Sequence, residues 1–168
     1  LAYTLFRPFN WYGPRLDNVL NPKPGGSRVL TQFIGNILRG EDLQLVDGGA
    51  QKRCFTYIED GMAALLTIIA NPDVAHQRIF NLGNPYESVS IRDLAAHLIK
   101  AIQHFPAYAA QASKTRLNTI SGENYFGSGY QDVSLRVPSI RQAEQHLNWK
   151  PQTDLQSGLH QTLAFYLK

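Results

Sequence analysis

The groups in this sequence best suited to chemistry are cations and amides set in loops. Arg7, Asn10 and Arg15 lie in "FRPFNWYGPRLDN", Lys23 and Arg28 follow it, Lys52 and Arg53 close the turn "DGGAQKR", and Arg136 stands in "LRVPS". Arginine presents a planar fork of donors that matches the oxygens of a phosphate or diphosphate. Brought together, these residues would hold an anion. Left apart, they are a solvated face. Arg53 has the strongest case, because it follows a tight turn and starts a strand, which fixes its backbone and aims its side chain.

Self-contained catalytic motifs are absent from the sequence. It holds no Gly-x-Gly-x-x-Gly, no P-loop, no His-Glu-x-x-His, no Gly-x-Ser-x-Gly and no Tyr-x-x-x-Lys. Its histidines, His76, His97, His104, His146 and His160, are scattered. His97 and His104 lie seven apart on one expected helix with no third ligand nearby, so no metal site is expected. The single cysteine, Cys54, excludes an internal disulfide, fits a reducing compartment, and reads as a packed residue in "KRCFTY".

The elements that must position these groups are mixed α and β. Ser27 is placed to cap a helix over 28–39, with Val29, Leu30, Phe33, Ile34, Ile37 and Leu38 on one face and Gly40 as its stop. "LQLVDGGAQKRCFTYI" reads as a strand, an Asp-Gly-Gly turn and a second strand. A helix over 59–70 ends at Asn71-Pro72, and "RIFNLGNP" is a short strand. Ser90 and Asp93 form a capping box for a helix over 91–104. Residues 105–137 read as irregular; Ser139 and Gln142 box a short helix to 147, and Asp154 caps a last one. The opening run "LAYTLF" reads as a buried strand, yet too few strands follow to build its sheet. The chain is therefore expected to be the second part of a larger α/β domain.

Composition narrows the function. With 168 residues, 43% of them hydrophobic, the chain can bury a core of ordinary globular kind. A net charge of +3 without a run of five or more like charges does not argue for nucleic acid. No apolar stretch has the length of a membrane span. A cytoplasmic protein is expected, with no nucleic-acid partner and no membrane insertion.

"FRPFNWYGPR" and "LVDGGAQKRCFTYIEDGMAAL" resemble segments of the extended short-chain dehydrogenase/reductases that act on nucleotide sugars. "FNLGNPYESVSIRDLA" and "LNWKPQTDLQSGL" resemble later landmarks of that family. "GYQDVSLRVPSI" is similar to its UDP-glucuronate decarboxylase branch, in which the decarboxylase is joined to a formyltransferase and serves lipid A modification with aminoarabinose and polymyxin resistance. The resemblance covers nearly the whole chain and is weakest at about 103–118. It implies a Rossmann-like α/β protein of which residues 1–168 are one partial domain: a late strand of the dinucleotide fold plus the small UDP-sugar-binding lobe. The NAD-binding part, with its Gly-rich turn and Tyr-x-x-x-Lys pair, would lie outside this sequence. NAD is the implied cofactor, UDP-glucuronate or a related UDP-sugar the implied ligand, and a homo-oligomer the implied state of the full-length protein.

Position by position, the resemblance implies that Asn10 contacts the sugar nucleotide and that Arg28 lies near it. Gln44, Leu45, Val46, Asp47, Gly48, Gly49, Ala50, Gln51, Lys52 and Arg53 would wrap the uridine diphosphate, with Arg53 on phosphate. Tyr130 would contact substrate, and Arg136 would hold the catalytic proton-donor position. Tyr12 departs from the pattern, where methionine would be expected, which leaves the fine shape of the pocket open but not the class. In the implied reaction NAD oxidises the sugar at C4, and the resulting ketone is β to the C6 carboxylate and accepts the electrons released with carbon dioxide. Because arginine's pKa exceeds about 12, Arg136 is read as an electrostatic clamp, with the proton at C5 relayed from water. Two alternatives stay open: a UDP-xylose synthase or other nucleotide-sugar epimerase or dehydratase, and a UDP-sugar-binding lobe without catalysis.

Overall fold

A computed structural model describes residues 2–21 and 28–168. Ser27 and Lys23 fall outside the described residues. Strands β1 (Leu5–Pro8) and β2 (Trp11–Tyr12) bracket the opening loop. Helix α1 (Val29–Arg39) leads to β3 (Leu43–Val46), a single 3-10 turn at Asp47–Gly49, β4 (Lys52–Cys54) and β5 (Thr56–Tyr57). Then come α2 (Ile58–Ala70), α3 (Pro72–Ala75), β6 (Ile79–Leu82), β7 (Ser88–Ser90) and α4 (Ile91–Ile102). The chain continues through α5 (Ala109–Lys114), β8 (Leu117–Ile120), α6 (Gly122–Phe126), β9 (Leu135–Arg136), α7 (Arg141–Leu147) and α8 (Leu155–Tyr166).

The strands form small, separate sheets. β1 runs parallel to β6, β2 to β5, and β3 to β8. The central strand β4 is antiparallel to β7 on one edge and parallel to β9 on the other. The two strands flanking the Asp-Gly-Gly turn thus pair with distant segments and not with each other. Asp47, Gly48 and Gly49 all have positive φ, so the turn redirects the chain between sheets.

The main core joins the apolar faces of α1, α4 and α8. Ile34, Ile37, Leu94, Leu98, Ile102 and Leu163 are fully buried there. Each such side chain contributes about 1.5–3 kcal/mol relative to an exposed one. Ser90 caps α4 as the capping box requires, its hydroxyl accepting from Asp93 N–H at 2.9 Å, and Asp154 caps α8. A second cluster gathers Phe80 and Leu82 of β6 with Ala64, Leu147 and Trp149. The buried Asp60 carboxylate ties the clusters' elements together. It accepts from Gln152 N–H and Thr153 N–H, each at 3.0 Å, while Trp149 Nε1 donates to its backbone carbonyl. Among the described residues no helix is long and apolar enough to cross a membrane.

Three expectations are corrected. "LAYTLF" is not a buried strand: the strand starts at Leu5, and Leu5 and Phe6 are 53% and 43% exposed. β6 covers one edge of β1. Residues 105–137 are not irregular. They hold α5, β8, α6 and β9, each six residues or fewer, too short for a hydrophobic period to show. Ser139 does not cap α7, which starts at Arg141 behind Ile140 with no side-chain cap. The backbone after Val137-Pro138 instead presents the Ser139 carbonyl to Asn81 Nδ2 at 3.0 Å.

Candidate functional site

The opening loop is an anchor. Trp11 lies against Gly61, where a Cβ would come within 2.8 Å of the indole, and its Nε1 donates to the Leu82 carbonyl at 3.0 Å. Thr56 donates its hydroxyl to Phe9 O at 2.9 Å. Tyr12 is buried against Gly158, and its hydroxyl reaches Leu155 O at 3.4 Å. The Tyr12 ring fills the core beside α8. These anchors leave Asn10 at the loop's turn in a left-handed conformation (φ 43°), which asparagine tolerates. Its amide donates to Cys54 O at 2.7 Å.

Asn10 stands at the rim of a groove of about 630 Å³, a size that suits a cofactor-sized ligand. One wall is α1, through Val29, Gln32 and Phe33; another is β3 and the following turn, through Gln44, Val46 and Gln51. The far wall is α6 and the segment leading into β9, through Tyr125, Phe126, Tyr130, Asp132 and Arg136, with Arg53 on the floor. Of the residues singled out from sequence, the groove gathers Asn10, Gln44, Val46, Gln51, Arg53, Tyr130 and Arg136.

Two arginines dominate its charge. The parallel register of β4 and β9 sets Arg53 opposite Arg136, so both side chains leave the sheet on the same face. Arg53 is nearly buried and heavily engaged. One terminal nitrogen donates to Lys52 O at 2.8 Å and Val133 O at 2.7 Å, and the other pairs with the Asp132 carboxylate. Arg136 is exposed to the groove and has no ion pair among the described residues.

Aromatic rings line the wall beside them. Phe126 stacks on Tyr130 with centroids 4.2 Å apart, and Tyr125 meets Phe126 edge-on. The Tyr130 ring sits over Gly122, where a Cβ would lie 2.6 Å from it. Burial, then the Asp132 carboxylate, pushes the Tyr130 phenol above its ordinary range, which keeps it protonated.

Other expected residues take supporting places. Leu45 is fully buried in the main core. The Asp47 carboxylate accepts from Gly122 N–H at 2.9 Å and so holds the start of α6. Gly48 O accepts from Arg92 Nε at 3.0 Å, and Gly49 fits close against the Arg92 backbone. Ala50 and Lys52 do not line the groove; Lys52 N–H donates to Ser134 O at 2.8 Å, which fastens β9. Arg28 points elsewhere, pairing with Asp17 at 2.6 Å. Arg7 sits on β1, and the Arg15 guanidinium lies 5.7 Å from the Phe165 ring. Sequence reasoning missed Asp132, Phe126, Tyr125 and Gln32. Asp132 alone had a visible signal, two residues after Tyr130 in "GYQD". Cys54 is buried and its thiol is pushed up by desolvation, which suits a packed residue. Among the described residues no group of three or more His, Cys, Asp or Glu is placed to hold a metal ion.

Residues 1–83 match the NAD dependent epimerase/dehydratase family. Across the whole chain, the α/β fold matches the Rossmann-like epimerase/dehydratase proteins. The chain is 43% identical to the PbgP3 protein from Burkholderia pseudomallei, with a TM-score of 0.82, covering 99% of this chain and 46% of that one. Two further structures share the fold. The UDP-glucose 4-epimerase of Thermotoga maritima, solved with UDP-glucose, is 23% identical at a TM-score of 0.75, covering 99% of this chain and 46% of its own. The UDP-glucuronic acid 4-epimerase of Bacillus cereus, in complex with UDP-glucuronic acid and NAD, is 21% identical at 0.71, covering 96% and 44%. This chain therefore spans less than half the length of the epimerase/dehydratase structures it resembles.

Proposed function

We propose that the groove binds a UDP-sugar, and that this chain is the sugar-nucleotide-binding part of an NAD-dependent UDP-glucuronate decarboxylase giving a UDP-4-keto-pentose for lipid A modification. The observation that carries the reading is the pair Arg53 and Arg136, side by side on one face, under a shelf of stacked aromatic rings. Two neighbouring cations, only one of them paired with a carboxylate, invite a multiply charged anion, and the rings beside them invite a flat base. The 43% identity to PbgP3 and the similarity of "GYQDVSLRVPSI" to the decarboxylase branch support the narrower assignment.

In this reading Arg53 takes the diphosphate, and Asn10, Gln44 and Gln51 supply amides to hydroxyls and base edges. Arg136 takes the sugar's C6 carboxylate. In the 4-keto sugar the C5–C6 bond breaks, carbon dioxide leaves, and the electron pair moves into the ketone as an enolate. A proton from water then returns to C5. A fixed guanidinium beside these atoms steadies the charge as it moves. Its high pKa makes it a poor donor of its own proton.

The described residues do not fit NAD as its principal holders. β5 and β7 run straight into α2 and α4 with no glycine-rich turn between. The proposal places NAD on residues outside these 168, in a cytoplasmic, homo-oligomeric full-length protein. The test is to give that protein UDP-glucuronate and NAD. NADH and carbon dioxide accumulating together are expected. Carbon dioxide without lasting NADH would point to a xylose synthase, and neither product would remove the decarboxylase reading.

A further inference from the structure

The groove contains its own anion. The Asp132 carboxylate pairs with Arg53, and its side chain is 22% exposed against 10% for Arg53. Asp132 is itself fixed, because its Oδ1 also accepts from Val133 N–H at 2.7 Å. Arg53 is pinned independently by the carbonyls of Lys52 and Val133. The guanidinium would therefore keep its place if the carboxylate were neutralised. So Asp132 is not needed to aim Arg53. It takes the terminal nitrogen of Arg53 that the two carbonyls leave free.

We infer that Asp132 is an internal counter-ion that lowers the groove's affinity for every anion on Arg53, to a level at which a simple anion does not occupy it. The inference rests on the reading of Arg53 as a diphosphate ligand. An incoming diphosphate must either displace the carboxylate or sit beside it, and both weaken binding. A bare phosphate or pyrophosphate has nothing to set against that cost. A nucleotide sugar also gains the ring stack of Phe126 and Tyr130 and the amides of Asn10, Gln44 and Gln51. Asp132 thus leaves the total charge of the ligand insufficient and makes the nucleoside necessary.

Asp132→Asn tests this, because asparagine keeps the Oδ1 acceptor for Val133 N–H and Arg53 while removing the charge. Calorimetry on the full-length protein would use three probes: pyrophosphate, UDP and uridine. Removing one unit charge a few ångströms from the bound anion, at a partly exposed site, should tighten pyrophosphate and UDP by roughly tenfold. Uridine affinity should not change. Asp132→Ser should show the same gain, and adding Arg53→Ala should abolish it. A gain of affinity cannot come from a damaged fold. Pyrophosphate affinity that is unchanged or weaker in both Asp132 variants would overturn the inference. If pyrophosphate tightens while neither protein binds UDP, the nucleotide reading fails and the counter-ion role stands.

Discussion

Replacing Arg53 by alanine removes the most engaged side chain in the groove. In the folded protein the carbonyls of Lys52 and Val133 and the Asp132 carboxylate all lose their donor. A hydrogen bond from a charged donor contributes about 1.5–3 kcal/mol. Water can reach the vacated space from the groove and replaces part of that, so a stability loss of about 2–4 kcal/mol is expected. The loss falls on the β4–β9 junction, where Arg53 and Lys52 N–H fasten the segment before Arg136. In the ligand complex, losing a charge-assisted bond to phosphate should cost about 1.5–3 kcal/mol, or roughly a 10- to 150-fold weaker Kd for UDP. Calorimetry measures the second effect and thermal unfolding the first. Arg53→Lys keeps the charge without the planar fork and should fall between alanine and wild type in both. A folded Arg53→Ala protein that binds UDP with unchanged affinity would refute the placement of phosphate on Arg53.

Other residues give independent tests. Arg136→Ala in the full-length protein should lower turnover by roughly a hundredfold or more while sparing UDP affinity, measured by steady-state kinetics beside calorimetry; near-normal turnover would return Arg136 to the surface. Gly158→Ala would press a methyl group to 2.1 Å from the Tyr12 hydroxyl and should destabilise by about 1–3 kcal/mol, with Tyr12→Phe relieving part of the loss in a denaturant titration of the double variant. The Asp154 carboxylate is held below its usual range by bonds from the Ser157 N–H and hydroxyl, each at 2.8 Å. Its stabilising effect is therefore present above the unfolded pKa of about 4 and is lost as pH falls through the lower folded value. Asp154→Asn keeps the cap but should flatten that acid limb in a series of melting temperatures against pH.

The helices were legible where caps and periods agreed. Ser90 with Asp93, Asp154, and the face from Leu30 to Leu38 all lie where the pattern placed them, because several local preferences pointed the same way. The strand partners were not legible. β4 is three residues long, and its pairing with β9 joins positions 53 and 136, a contact set by packing and not by local propensity. That pairing makes the groove, so its floor was invisible even though Arg53 and Arg136 were both singled out. Asp132 was overlooked for the same reason: its importance lies in what it touches. Arg28 was drawn into the expected site, yet in the fold Asp17, eleven residues earlier, takes its charge. Phe33 is buried in the main core and Val29 packs against it, as the apolar face suggested, and both also border the groove, which the helical period alone did not show.

A crystal structure of the full-length protein with UDP-glucuronate tests the central claim most directly. The expected result is the nucleotide in the groove between α1 and β9, its diphosphate within hydrogen-bond reach of Arg53, its base against the Phe126–Tyr130 wall and its carboxylate turned toward Arg136. A nucleotide bound elsewhere, with Arg53 and Arg136 both clear of it, would contradict the account.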